Sequence, residues 1–197
     1  MKMNLPNKLT ILRVFMIPFF VIFMLLSVSG MDIEEASVSV SSFTAYRITA
    51  VAIFCIASFT DFLDGYIARK QGLVTDFGKF MDPLADKLLV CSALILLTAE
   101  GSLPSWVVII IIAREFIISG FRLVASDNGI VIAASWWGKF KTVSQMIMCI
   151  VLMLPGVPKL IGPAATGVII AAAVILTVVS LIDYMAKNIK VITDGGM

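Results

Sequence analysis

Apolar residues form six long runs along this chain, separated by shorter segments that contain its glycines, prolines and charged residues. Each run reaches or approaches the roughly 20 residues that an α-helix needs to cross the hydrocarbon core of a bilayer. The runs predict helices over residues 9–28, 43–69, 76–98, 105–126, 133–154 and 164–185. The pattern therefore predicts an all-α, polytopic membrane protein with six transmembrane helices.

The segments outside these runs are too short to form a second soluble module. Residues 1–8 predict a short interfacial segment, in which Asn7 is a suitable N-cap for the first helix. Residues 155–163 contain two glycines, which favour a turn, and we expect residues 186–197 to form a C-terminal tail. We therefore expect one six-span catalytic domain over residues 1–197.

The composition agrees with a membrane protein. The chain is 60% hydrophobic, its mean hydropathy is +1.05, and only 14% of its residues are charged. Soluble domains carry about 25% charged residues. The absence of histidine excludes His-based metal sites and Ser–His or Cys–His nucleophiles. The three cysteines each lie singly in an apolar run, so a disulfide or zinc site is not expected.

The positions of the charges predict the orientation in the membrane. If the six helices alternate in direction, all of the fifteen lysines and arginines except Arg47 and Lys159 lie on the side of the termini or are buried towards it. The opposite side carries four acidic residues: Asp32, Glu34, Glu35 and Glu100. Because basic residues are retained on the cytoplasmic side, we expect both termini and any site near them to be cytoplasmic.

Two pairs of aspartates, one near the end of the second run and one near the start of the third, are each spaced to share one helix face. Asp61 and Asp64 are three residues apart, and Asp82 and Asp86 are four apart. Carboxylates are costly at the edge of a bilayer unless a partner such as a hard cation binds them. Neutralisation by nearby surface lysines and arginines is the alternative, but ion pairing requires neither these spacings nor the nearby glycines.

The full motif reads Asp61-x2-Asp64-Gly65-x2-Ala68-Arg69-x8-Gly78-x3-Asp82-x3-Asp86. It resembles the signature of the CDP-alcohol phosphotransferases, membrane enzymes that join a CDP-activated group to an alcohol. The resemblance implies a divalent metal, Mg²⁺ or Mn²⁺, with two ions per site held by Asp61, Asp64, Asp82 and Asp86. It implies catalytic roles for Asp82 and for Asp86, which would be the general base. The CDP and pyrophosphate ligands implied are Asp61, Asp64, Gly65, Ala68, Arg69 and Gly78.

A second group of polar residues lies in the fourth and fifth runs. Arg114 is ten residues past Pro104, about 15 Å of helix, which places it near mid-membrane and makes it a functional candidate. The predicted ligands for an acceptor phosphate are Arg114, Arg122, Lys139, Lys141 and Thr142. The alternative is that Arg114 pairs with Glu115 or Asp183 while the lysines extend to lipid head groups.

The segments 114–122 and 138–142 also resemble those family members that use sn-glycerol 3-phosphate. The resemblance implies transfer of the phosphatidyl group of CDP-diacylglycerol to sn-glycerol 3-phosphate, giving phosphatidylglycerophosphate and CMP. It further implies contact with membrane lipid, a homodimer and no nucleic-acid partner. Inositol phosphate, serine or a phospholipid remain alternative acceptors. An ion transporter with an acidic site is the alternative from a different class.

Overall fold

The computed structural model describes residues 5–29, 40–71, 76–127, 132 and 135–188. Within these ranges the side chains of 61–71, 76–80, 82 and 83, and of a few residues at helix ends, lie outside the description. The described residues form six helices and no strand: α1 (Leu5–Ser29), α2 (Val40–Gln71), α3 (Asp76–Ala99), α4 (Ser105–Asp127), α5 (Trp136–Met153) and α6 (Val157–Asn188). The all-α prediction is confirmed.

The starts of two helices differ from the prediction by more than three residues. The first helix begins at Leu5, so Asn7 lies inside it and the predicted N-cap is wrong. The predicted turn before the last helix is mostly helical, because α6 already begins at Val157 and is broken only at Gly162 (φ 82°, ψ 164°). A positive φ is accessible to glycine, and Pro163, which has no N–H, can open the second helical segment without losing a hydrogen bond.

The helices have the apolar surface of a membrane protein. Three segments of the described part of the chain are long and apolar enough to cross a bilayer: Lys8–Val28, Phe43–Thr60 and Val157–Asn188. Large apolar side chains on several helices are exposed rather than buried, among them Phe15, Phe59 and Ile109. Exposed apolar surface of this kind is suited to lipid. The count of six transmembrane spans stays a prediction.

The chain divides into two compact units, which we call unit 1 (Met1–Ser102 and Leu152–Val157) and unit 2 (Leu103–Val151 and Pro158–Met197). In unit 1, α1 packs against α2 through the rings of Phe20 and Phe54, whose centroids are 5.7 Å apart, and through those of Phe23 and Tyr46. From the first pair to the second, the residue number rises on α1 and falls on α2, so the two helices are antiparallel. That arrangement agrees with a chain that turns back after its first helix.

A glycine ends α3 in unit 1. Gly101 has a φ of 78°, its N–H donates to the carbonyl of Thr98, and the N–H of Ser102 donates to that of Leu97. This pair of bonds is a Schellman motif, which satisfies carbonyls that the end of a helix leaves without partners. Glu100 is thereby fixed at the end of α3.

In unit 2, α6 lies beside both α4 and α5. Arg114 meets Ser180 and Phe121 meets Tyr184, so α4 and α6 run in the same direction. The Gln145 amide donates to Thr177, and the start of α5 is close to Ser180, so α5 runs against α6. Within this unit, the directions are those expected for helices that cross a bilayer alternately.

Candidate active site

The backbone of the aspartate motif is helical where the sequence predicted it. Asp61 and Asp64 lie within α2, and Asp82 and Asp86 lie within α3, which runs without interruption through Pro83. Each pair therefore shares one helix face, as its spacing requires. Of the four predicted metal ligands, only Asp86 has a described side chain. That side chain is half-buried and interacts with another residue.

A divalent metal fits the chemistry of these donors. Four carboxylates without histidine or cysteine form the oxygen-rich set that Mg²⁺ and Mn²⁺ prefer. Among the side chains that the structure describes, no group of three or more His, Cys, Asp or Glu is close enough to hold a metal. The side chains of Asp61, Asp64 and Asp82 are not among those that the structure describes, so the metal site stays a prediction.

Arg13 is a buried residue that the sequence reasoning counted only as one of the cytoplasmic bases. Its side chain is 0% exposed, and its Nε donates to the carbonyl of Ala57 at 3.3 Å. Ala57 lies one turn before Asp61 on α2. A fully buried guanidinium is expensive unless hydrogen bonds satisfy it, so Arg13 ties α1 to the part of α2 that leads into the motif. The position of Arg13 inside an apolar run was the sequence feature that could have indicated its burial.

Unit 2 contains a cluster of three charged side chains, of which the two cations are buried and Glu115 is partly buried. Arg114 is 9% exposed and Lys141 is 4% exposed. Arg114 Nη1 donates to Glu115 Oε1 at 3.1 Å, and Lys141 Nζ donates to the same oxygen. One carboxylate oxygen therefore joins two cations from α4 and α5. The three side chains together carry a net positive charge, which favours an anion nearby.

Ser180 of α6 completes this cluster. Its hydroxyl is fully buried and accepts a hydrogen bond of 2.6 Å from Arg114 Nη2. The Nε of Arg114 is buried and has no hydrogen-bond partner among the described residues. Arg114 is thus held from two sides while one of its donors has no described partner, and a buried donor without a partner is costly unless a ligand satisfies it.

The other predicted acceptor ligands lie elsewhere in unit 2. Lys139 is exposed, and its ammonium lies 4.4 Å from the ring centroid of Trp136. Arg122 is also exposed and lies over the ring of Tyr184 at 5.7 Å. Thr142 donates to the carbonyl of Gly138 within α5. The structure therefore brings Arg114 and Lys141 together but places neither Lys139 nor Arg122 in the same cluster.

The two alternatives considered for Arg114 have different outcomes. Glu115 is indeed its partner, whereas Asp183 Oδ1 pairs with Lys187 at 2.5 Å. Glu115 and Ser180 are the members of the cluster that were not predicted as acceptor ligands from the sequence. Glu115 was recognisable as an acid next to an intramembrane arginine. Ser180 had no local signal, since a lone serine in an apolar run is common in membrane helices.

Comparisons with known proteins agree on one family. The family described as CDP-alcohol phosphatidyltransferase matches residues 3–179. A CDP-diacylglycerol–glycerol-3-phosphate 3-phosphatidyltransferase of Bacillus subtilis (strain 168) is 45% identical over 186 residues, which are 94% of this chain and 95% of that protein. A probable phosphatidylglycerophosphate synthase of Mycobacterium tuberculosis (strain ATCC 25618 / H37Rv) is 41% identical over 189 residues, 95% and 82% of the two chains.

A third relative is more distant in sequence but equally complete in coverage. The CDP-diacylglycerol–glycerol-3-phosphate 3-phosphatidyltransferase of Escherichia coli (strain K12) is 36% identical over 192 residues, which are 94% of this chain and 95% of that protein. The resemblance drawn from the aspartate motif is confirmed by both the family match and these full-length relatives. The chain belongs to the CDP-alcohol phosphatidyltransferase family.

Proposed function

We propose that this protein transfers the phosphatidyl group of CDP-diacylglycerol to the 1-hydroxyl of sn-glycerol 3-phosphate, giving phosphatidylglycerophosphate and CMP in phospholipid synthesis. Relatives that align over nearly the whole chain bear the name of this activity. The structural observation that carries the proposal is the buried pair of cations, Arg114 and Lys141, joined through Glu115. Their net positive charge suits an acceptor that carries a phosphate.

The donor is assigned to the aspartate motif. In this proposal Asp61, Asp64, Asp82 and Asp86 hold the divalent metal, while Gly65, Ala68, Arg69 and Gly78 surround the CDP pyrophosphate. A bound Mg²⁺ or Mn²⁺ pair would supply charge neutralisation across the pyrophosphate. Asp86 accepts the proton of the acceptor hydroxyl as that oxygen attacks the phosphorus bearing the diacylglycerol, and CMP leaves with the pyrophosphate oxygen.

The acceptor phosphate is assigned first to Arg114 and Lys141. Both are buried, which strengthens an ionic hydrogen bond by removing competing water. Lys139 and Arg122 are exposed, and each faces an aromatic ring, so they are assigned a secondary role in attracting the anion. Thr142 is one residue from Lys141, and its hydroxyl could add a donor only by giving up its bond to Gly138.

The lipid donor explains why the enzyme is a membrane protein. Its acyl chains can stay among the exposed apolar side chains while its head group enters the polar site. We infer from the positive-inside distribution of lysine and arginine that both termini and the site lie on the cytoplasmic side of the membrane. The family resemblance further leads us to propose a homodimer.

The test is an acceptor assay on the purified protein in detergent, with CDP-diacylglycerol and either Mg²⁺ or Mn²⁺. sn-Glycerol 3-phosphate, inositol phosphate, serine and a phospholipid are supplied separately, and CMP release is measured. We expect CMP release with sn-glycerol 3-phosphate far above that with the other acceptors. CMP release with another alcohol but none with sn-glycerol 3-phosphate would overturn the proposed acceptor while leaving the family assignment intact.

A further inference from the structure

Ser180 holds one end of the Arg114 guanidinium in place. The Ser180 hydroxyl is 0% exposed, lies on α6, and is 66 residues away from Arg114 in the sequence. Its oxygen is 2.6 Å from Nη2, while Nη1 is held by Glu115 on the other side. A guanidinium is a planar fork that binds phosphate well only in a particular orientation. Fixing two of its nitrogens before the ligand arrives removes part of the entropic cost of binding.

Gly138 of α5 lies beside the same nitrogen. A Cβ added there would be 3.8 Å from Arg114 Nη2, 3.9 Å from Ser180 Oγ and 3.6 Å from Ser135 Oγ. These are ordinary contact distances, so packing does not require a glycine at this position. Its backbone is helical and has no positive φ that would require one. In a helix, glycine is less favourable than alanine by about 0.5–1 kcal/mol.

The missing Cβ at Gly138 therefore has another explanation, which is access to Arg114. The Gly138 N–H is already bonded to Ser135 Oγ at 3.1 Å, an N-cap bond, so it is not a donor for the ligand. A Cβ at Gly138 would lie beside the hydrogen bond between Arg114 Nη2 and Ser180 Oγ, 3.8 and 3.9 Å from these two atoms, so the glycine leaves this space open. The neighbouring Arg114 Nε is buried without a described partner. The guanidinium thus has one buried donor, Nε, without a described partner, and an open space beside its Nη2.

We propose that Ser180 and Gly138 are specificity-determining residues for the acceptor: Ser180 positions the Arg114 guanidinium, and Gly138 keeps the approach to it open for a phosphate. This inference rests on the proposed function, in which Arg114 binds the acceptor phosphate. It extends that function to two residues that do not themselves carry charge. Neither residue is expected to affect the CDP-diacylglycerol donor.

The experiment compares Ser180→Ala and Gly138→Ala with the wild-type enzyme. Each variant is expected to raise the KM for sn-glycerol 3-phosphate by about tenfold, the effect of losing a hydrogen bond to a charged group or of blocking it. The KM for CDP-diacylglycerol is expected to stay within about twofold, since the donor is assigned to the aspartate motif on α2 and α3. Titration of sn-glycerol 3-phosphate into the purified protein without donor should show the same loss of affinity.

Two matched controls separate positioning from stability. Thr177 lies one turn before Ser180 on the same face of α6, is equally buried, and bonds Gln145 instead of Arg114. Thr177→Ala should lower the unfolding temperature without raising the KM for the acceptor. Gly167 is a helical glycine of the same unit at which an added Cβ meets nothing within 4 Å. Gly167→Ala should leave the KM unchanged.

The outcomes distinguish this inference from the proposed function. An active wild-type enzyme whose acceptor KM is unchanged in both Ser180→Ala and Gly138→Ala would overturn the inference alone. If only another phosphorylated alcohol gives CMP, the proposed acceptor is wrong, and the same KM comparison is made with that alcohol. If Ser180→Ala does not fold, Gly138→Ala decides, because its added methyl group makes only ordinary contacts.

Discussion

Arg47 and Glu100 form an ion pair with two parallel hydrogen bonds in unit 1. Arg47 Nη1 is 2.6 Å from Glu100 Oε2, and Nη2 is 2.7 Å from Oε1. The same guanidinium donates to two carbonyls at the end of α5, those of Met153 at 2.7 Å and Leu152 at 3.1 Å. One arginine near the start of α2 thus meets the ends of α3 and α5. Helices that alternate in direction would bring these ends to the same side.

We expect removal of Arg47 to destabilise the protein strongly. The Glu100 side chain is only 2% exposed, so Arg47→Met leaves a buried carboxylate unpaired and should lower the free energy of unfolding by about 3 kcal/mol. Arg47→Met combined with Glu100→Gln should recover part of this loss. Unfolding in detergent at increasing denaturant measures both. Thr49→Ala, which removes only a local bond to Ala45, is the control; a loss in Arg47→Met no larger than in this control would contradict the prediction.

Asp86→Asn tests the proposed general base. If Asp86 accepts the proton of the acceptor hydroxyl, the substitution should lower kcat by roughly 10²–10⁴-fold, the usual contribution of a general base. Asp61→Asn should instead weaken metal binding, because Asp61 is proposed to hold a metal and not to move a proton. CMP release and Mn²⁺ binding are measured on both variants. Near-wild-type turnover of Asp86→Asn with normal Mn²⁺ binding would remove Asp86 from this role.

The buried and exposed bases of unit 2 should differ in their effect on the acceptor. Arg114→Lys keeps the charge but loses the planar fork that contacts Ser180 and Glu115, so the KM for sn-glycerol 3-phosphate should rise about tenfold or more. Lys139→Gln removes an exposed charge that faces Trp136, and salt should mask most of its small effect. Steady-state kinetics at two ionic strengths would show this order. Equal effects of the two substitutions would speak against a buried phosphate site.

The proposed orientation predicts which side of the membrane two exposed positions face. Lys187 at the end of α6 has a side chain that is 64% exposed, and Ser102 lies in the exposed turn after α3. In a chain whose three cysteines are replaced, Lys187→Cys should react with a membrane-impermeant maleimide only from the cytoplasmic side. Ser102→Cys should react only from the opposite side. Labelling of both positions from the same side would exclude alternating spans with cytoplasmic termini.

The sequence by itself determined the helices and the family. Apolar runs of membrane-spanning length form helices wherever they are placed in a bilayer, because each helix satisfies its own backbone hydrogen bonds. The spacing of Asp61, Asp64, Asp82 and Asp86 needed only the geometry of a single helix to place each pair on one face. Where the sequence failed, at Asn7 and at residues 157–161, the competing choices were turn and helix, which differ little in local free energy.

Only the tertiary structure decided how the buried charges are paired. The sequence left two possible acidic partners for Arg114, namely Glu115 and Asp183. It also left open which of the four bases in the fourth and fifth helices bind the acceptor phosphate. Packing of α4 against α5 and α6 brought Lys141 to Glu115, the sequence neighbour of Arg114, brought Ser180 to Arg114, and left Lys139 and Arg122 exposed. A buried charge takes the partner that helix packing brings within about 3 Å. Residues 26 or 66 positions apart cannot be matched by spacing along one helix, so these pairs depend on the fold.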